Sequence, residues 1–157
     1  MDRLWAPWRI NYVSSKKKKK GCILCQAKNS PVNEYVIFKT QKSICLLNKY
    51  PYNNGHLMIC PLRHTSDIAK IKPEEILDIF QSLNRAQNLL AKVLKPQGYN
   101  LGFNLGRVAG AGITGHLHLH VVPRWLGDKN FMPSIAGTKV ISQSLAELAK
   151  RLKNADK

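Results

Sequence analysis

The chain has 157 residues, 25 Lys and Arg against 9 Asp and Glu, a formal net charge of +16 and an apolar share of 44%. That length suits one domain with a proper core, and no apolar run approaches the ~20 residues of a membrane span. Met1–Trp8 lacks the apolar core of a signal peptide, so the cytoplasm is the expected compartment, and the four cysteines are expected as thiols or metal ligands rather than disulfides.

Residues 1–12 are rich in Trp and Arg and are expected to form an irregular arm over the core. Lys16–Lys20 is a block of five like charges, expected as a solvated, mobile loop. Residues 1–21 thus precede the main body of a single domain spanning 1–157. Excess positive charge fits a polyphosphate substrate and fits nucleic acid equally. No base-reading motif accompanies it, so nucleic acid stands as an open partner and not as the expected substrate.

Cys22-Ile23-Leu24-Cys25 is a C-x-x-C. A thioredoxin-type use needs a strand before it and a helix opening at it, whereas a lysine run and Gly21 precede it here. A metal knuckle remains open and needs two further ligands. Glu34–Thr40 and Ser43–Asn48 read as two short strands, Tyr50–Gly55 as a turn cluster and His56–Pro61 as a third strand. Asn48 and His56 can then face one ligand across that turn. Cys45 and Cys60 fall within apolar runs and read as core.

Pro73–Lys95 is the one long helix, with Pro73, Glu74 and Glu75 suited to its first turn. Ile76, Ile79, Phe80, Leu83, Leu90, Val93 and Leu94 recur at helical spacing and are expected to face the core. Asn100–Leu105 is a fourth strand. The loop 106–115 carries four glycines in neither P-loop nor Rossmann spacing, but glycines let backbone N–H groups approach phosphate closely. Val140–Leu152 closes the chain as an amphipathic helix.

Before that helix comes His116-Leu117-His118-Leu119-His120-Val121-Val122. Alternation with period two places three imidazoles on one strand face and Leu117, Leu119 and Val121 in the core. Neighbouring histidines lie roughly 6–7 Å apart along a strand, too far for three ligands on one metal. Such a row cannot be core filler, because each buried imidazole needs its own hydrogen-bond partner. The stretch reads as an active site whose neighbours do different jobs.

The histidine stretch, with Asn48–Pro61 upstream, resembles the signature of the histidine triad superfamily of nucleotide hydrolases and transferases. Residues 5–12, 102–112 and 122–133 resemble its diadenosine tetraphosphate phosphorylase-like branch, and the similarity covers nearly the whole chain except Lys16–Lys20. The resemblance implies an α+β fold: an antiparallel sheet of about five strands, one long helix and a C-terminal helix. It implies that His118 attacks the α-phosphorus of a dinucleoside polyphosphate and forms a nucleotidyl-histidine. His120 and His56 would donate to phosphate oxygens, and no catalytic metal is required. Asn48 (at the ribose), Asn104, Gly112, Thr114 and Trp125 fall in substrate-binding positions. Some family members carry a hydroxyl at the position of Gly112, so Thr114 or backbone would take that place here. Zinc-bearing relatives imply a structural zinc on Cys22, Cys25, His64 and His116. Inorganic phosphate or water would accept the nucleotide, and a homodimer would form through the long helix and a neighbouring strand. Two other readings stay open: a hydrolase of nucleoside phosphoramidates or adenylylated groups, and a non-catalytic nucleotide- or nucleic-acid-binding protein, for which His118 would be superfluous.

Overall fold

The computed structural model describes residues 21–30, 33–128 and 141–157. The N-terminal arm, the block Lys16–Lys20 and the resembling segment 130–133 lie outside the described residues. In chain order the elements are α1 (Ile23–Asn29), β1 (Val36–Lys39), β2 (Ser43–Leu47), β3 (Leu57–Pro61), a 3₁₀ turn (Ile68–Lys70), α2 (Pro73–Leu94), β4 (Gly98–Phe103), β5 (Leu119–Arg124) and α3 (Leu145–Ala155). The five strands form one antiparallel sheet in the order β1-β2-β3-β5-β4. The expected α+β architecture of five strands, one long helix and a C-terminal helix is the observed one.

The sheet has two unlike faces. Leu47, Leu57, Ile59, Leu119 and Val121 point to one side and pack with Ile79, Leu83, Leu90, Leu148 and Leu152 of α2 and α3. Side chains of the alternate positions point the other way, where Ile44, Leu46, Met58 and Cys60 pack with Leu24 and Ala27 of α1. His120 belongs to this second face, because it pairs directly with Met58 on β3 and with Gly102 on β4. Cys45 lies in the first core and Cys60 in the second, both fully buried. Burial pushes the thiol of Cys60 up to about 12 and that of Cys45 higher still, so both behave as apolar filler.

The C-terminal helix opens at Leu145 and not at Val140, and β4 runs Gly98–Phe103 where Asn100–Leu105 was expected. Three further elements differ from the sequence reading. The histidine stretch is a strand only from Leu119. Upstream of it, the Leu117 amide donates to the Thr65 carbonyl at 2.7 Å, so His116–His118 leave the sheet and follow the segment after β3. On α2 the buried stripe runs through Glu75, Ile79, Ser82, Leu83, Ala86, Leu89 and Leu90. Ile76 and Phe80, expected in the core, are 47% and 60% exposed, beside an exposed Leu77. A helical period fits either of two adjacent stripes, and the sheet selected the one with smaller residues. The seven-residue α1 opens directly after Cys22, a helix that the sequence reading did not assign. It seats Leu24 and Ala27 in the second core and leaves both cysteines half-buried at its start.

One glycine fixes the geometry of the β2–β3 turn. Gly55 has φ +76, and a Cβ there would lie 2.5 Å from Leu94 Cδ1 and 3.1 Å from Pro123 Cγ. Any side chain would push the turn off α2 and β5, and His56 with it.

The segment after β3 is clamped to the start of α2. Arg63 donates to Glu75 Oε1 (Nε, 2.9 Å) and Oε2 (Nη2, 2.7 Å), and Glu75 also accepts from the Lys72 amide at 3.0 Å. These bonds hold the buried Glu75 carboxyl down at about 2. A carboxyl depressed in the fold stabilises it fully above its ordinary value and loses that contribution as pH falls toward the folded value. Glu75→Gln should therefore lower stability by roughly 1.5–3 kcal/mol at neutral pH. Thermal melts between pH 7 and pH 2 check this: the wild-type advantage should shrink across the interval from about 4.5 to 2.

Candidate active site

Three imidazoles, those of His56, His118 and His120, converge where β3 and β5 begin, on the sheet face opposite α2 and α3. His56 opens β3 behind the Tyr50–Gly55 turn, and the turn closes through Asn48 N–H to His56 O (2.9 Å) and His56 N–H to Asn53 O (3.1 Å). Asn53 is buried and donates to Pro123 O at 3.0 Å and Asp128 Oδ2 at 2.8 Å. Asp128 in turn accepts from Nε and Nη2 of Arg124 and from the Trp125 amide. The turn bearing His56 is thereby fastened to the end of β5.

The partners of each ring settle its tautomer. The Tyr52 amide can only donate, and it lies 3.0 Å from His56 Nδ1, which must therefore be the acceptor. Neutral His56 then carries its proton on Nε2 and donates to His120 Nδ1 at 2.8 Å. His120 is left with its proton on Nε2, a buried atom with no hydrogen-bond partner among the described residues. Leaving such a donor unmet costs about 1–3 kcal/mol, so it is a contact held ready for a ligand. Burial, and secondarily the neighbouring His118, lowers His120 to about 4, which keeps it neutral at physiological pH.

His118 has the opposite polarity. Its Nδ1 lies 2.8 Å from the His116 carbonyl, which can only accept, so the proton sits on Nδ1 and Nε2 keeps its lone pair. The two rings meet edge to face with centroids 4.8 Å apart. One ring thus offers a nucleophilic nitrogen and its neighbour an N–H. That is the equipment for attack on phosphorus with stabilisation of the charge that develops.

His116 faces elsewhere. Its Nε2 donates to Pro61 O at 2.9 Å, which turns Nδ1 toward Cys22 Sγ (3.3 Å) and Cys25 Sγ (3.5 Å). Cys25 Sγ also lies 3.4 Å from His64 Nδ1, and the four ligand atoms are all within 4.8 Å of one another. A tetrahedral ion with sulfur at about 2.3 Å and nitrogen at about 2.05 Å has S–N edges of about 3.6 Å, so the cluster could hold a metal ion with little movement. Burial keeps His116 neutral, as a ligand must be. Burial and the adjacent Cys22 push the Cys25 thiol up, and a dication at the centre would reverse that.

The structure brings His118, His120, His56 and Asn48 together; Asn48 Nδ2 lies 3.2 Å from His56 Nδ1 and its Oδ1 accepts from the Tyr50 amide. The second hydrogen of that amide remains for a ligand. His56 does not aim its Nε2 at open space, as direct donation to phosphate would need, but at His120. Asn104 reaches the group through Tyr52, donating to its hydroxyl at 3.2 Å. Gly112 lines a cavity over the thiol cluster with Cys22, His64, Ile113 and Gly115, while Thr114 is exposed. Trp125 is half-buried just past β5. Tyr52 is the contributor that sequence reasoning passed over as a turn residue. Its only signal was an aromatic ring four positions before His56.

The HIT domain family model matches residues 29–125. A Mycobacterium tuberculosis protein named AP-4-A phosphorylase is 35% identical over 97% of this chain and 83% of its own length. The Schizosaccharomyces pombe bis(5'-nucleosyl)-tetraphosphatase [asymmetrical] is 31% identical over 62% of this chain and 53% of its own. Among solved structures, a Zn-bound histidine triad family protein from Mycobacterium smegmatis superposes with a TM-score of 0.70 at 25% identity, covering 87% of this chain and 93% of that one. With one family model spanning the whole sheet and a near full-length relative sharing over a third of its residues, the chain belongs to the HIT domain family.

Proposed function

We propose that this protein transfers the nucleotidyl group of dinucleoside polyphosphates to inorganic phosphate, in the manner of a diadenosine tetraphosphate phosphorylase. The chain is a nucleotide-processing enzyme of the HIT family. The observation that carries the finer reading is the pair of opposed ring states, a bare Nε2 on His118 beside an unmet N–H on His120. In this scheme His118 Nε2 attacks the α-phosphorus and forms a P–N bond as the bond to the departing polyphosphate oxygen breaks. His120 Nε2–H binds the developing charge. An oxygen of inorganic phosphate then attacks from the opposite side, the P–N bond breaks and His118 recovers its lone pair. Starting from diadenosine tetraphosphate, the products are ATP and ADP. Asn48, Asn104, Gly112, Thr114 and Trp125 are proposed to hold the nucleotide and its phosphates, and the positive charge of the chain favours such an anion.

His118→Asn keeps polarity but cannot form the adduct. It should bind nucleotide nearly normally and lose several orders of magnitude in kcat, with KM little changed. Rapid denaturation of wild type during turnover should trap a nucleotidyl group on His118. A single inversion at phosphorus, or an active His118→Asn enzyme, would overturn the mechanism. Replacing phosphate by water as acceptor gives the hydrolase reading, supported by the name of the S. pombe relative. Nucleotide release that is unaffected by orthophosphate would decide for it.

The Cys22, Cys25, His64 and His116 cluster is proposed to hold zinc. Bound there, zinc would supply folding energy and lock the His116 ring, whose Nε2–H already bonds Pro61. Purified protein should contain about one equivalent. Cys22→Ser should lower both metal content and melting temperature and slow turnover without abolishing it; metal-free protein prepared without chelators would refute the assignment.

A homodimer is proposed on the exposed Ile76, Leu77 and Phe80 of α2 and the outer edge of β4, which ends the sheet. Light scattering should give twice the chain mass, and Phe80→Glu should shift it toward monomer.

A further inference from the structure

Tyr52 belongs to no helix or strand, yet it touches His56, His120 and Asn104. Its amide donates to His56 Nδ1 at 3.0 Å. Its ring stacks over His56 with centroids 4.6 Å apart and planes 35° from parallel, and over His120 at 5.4 Å and 34°. Its hydroxyl accepts from Asn104 Nδ2 at 3.2 Å. Asn104 in turn lies against the glycine-rich loop, since a Cβ on Gly110 would be 3.7 Å from that same Nδ2. The outer part of the Tyr52 side chain is exposed, so the residue is not core.

These contacts answer a question that the His56–His120 pair raises. A buried imidazole with an unmet N–H gains by rotating or exchanging its proton until that donor finds a partner. His120 is prevented from doing so only if its surroundings hold it. His118 closes one side at 4.8 Å, edge on, and His56 accounts for Nδ1. The Tyr52 ring covers a further side.

We propose that Tyr52 is a positioning residue that roofs the His56–His120 pair, keeps His120 in its Nε2–H form aimed at the reacting phosphate, and ties that pair to the glycine-rich loop through Asn104. The proposal rests on the nucleotidyl-transfer reading for its kinetic consequences, but the ring states themselves are measurable without any substrate. The hydroxyl and the ring have separable jobs. The hydroxyl sets the ring's tilt by way of Asn104, and the ring excludes water and blocks rotation of His120.

Two variants and one double variant test this. Nitrogen-15 spectra of the imidazoles should show His56 and His120 as single Nε2–H tautomers in wild type and in Tyr52→Phe, and His120 as a mixture in Tyr52→Leu. With diadenosine tetraphosphate and orthophosphate, Tyr52→Phe should lose about 3- to 10-fold in kcat and Tyr52→Leu about 100-fold, each with KM changed less than about threefold. In a His56→Gln background, Tyr52→Leu should add little further loss, because both residues act through His120. Wild-type tautomers in Tyr52→Leu, losses confined to KM, or fully additive losses would each overturn the proposal. Tyr52→Phe keeps the ring and its packing, so a folded variant is available even if Tyr52→Leu does not fold. If wild type fails to turn over any dinucleoside polyphosphate, the substrate reading falls, and the nitrogen spectra still decide the role of Tyr52.

Discussion

His116 is held at three points, and the two halves of the site depend on that one residue. Its Nε2 donates to the Pro61 carbonyl, its Nδ1 faces the two thiols, and its own carbonyl takes the Nδ1 proton of His118. The first contact aims the ring at the cluster. The last leaves the facing nitrogen of His118 bare. His116 is thus the link between a metal-competent cluster and the bare nitrogen of His118. Disturbing either end shifts the carbonyl that sets the polarity of His118.

The same device, a backbone group that can act in one sense only, recurs across the site. The Tyr52 amide can only donate, so His56 Nδ1 must accept, and the choice passes through the ring to His120. Two imidazoles in van der Waals reach of each other therefore present opposite chemistry, one a base and one a donor. Neither needs a charge to do so. Burial lowers His120 to about 4, so that ring donates without carrying a charge at physiological pH.

The apolar framework explains why these groups can be placed so closely. β5 inserts between β3 and β4, which puts His120 in register with Met58 and Gly102 and gives it a side chain on one flank and open space on the other. Gly55 lets the turn before His56 press against Leu94 and Pro123. Asp128 then closes the arrangement from β5 through Asn53. The helices cover the far face of the sheet, so the near face is left for chemistry and for the short helix that brings the thiols.

Strand alternation, turn residues and helix caps are local, and the sequence carried them: five strands, α2 to within a residue, and the alternation that sends Leu119 and Val121 inward. The spacing of the histidines also spoke against one metal shared by all three, and in the fold His116 turns to the thiols while His118 and His120 face each other. What local pattern could not decide is what depends on a distant partner. Whether Ile76 and Phe80 or Ser82 and Ala86 face the sheet is a choice between neighbouring stripes of one helix, made by the volume available against β2 and β3. Where the triad strand starts depends on the Thr65 carbonyl competing for the Leu117 amide. The proton on each ring depends on carbonyls and amides from residues as far apart as Pro61 and His116, and no pattern of side-chain types records which lone pair a backbone group will meet. Sequence determined that three imidazoles stand in one row; only the tertiary contacts decided which nitrogen of each carries the proton, because a tautomer is a property of its neighbours.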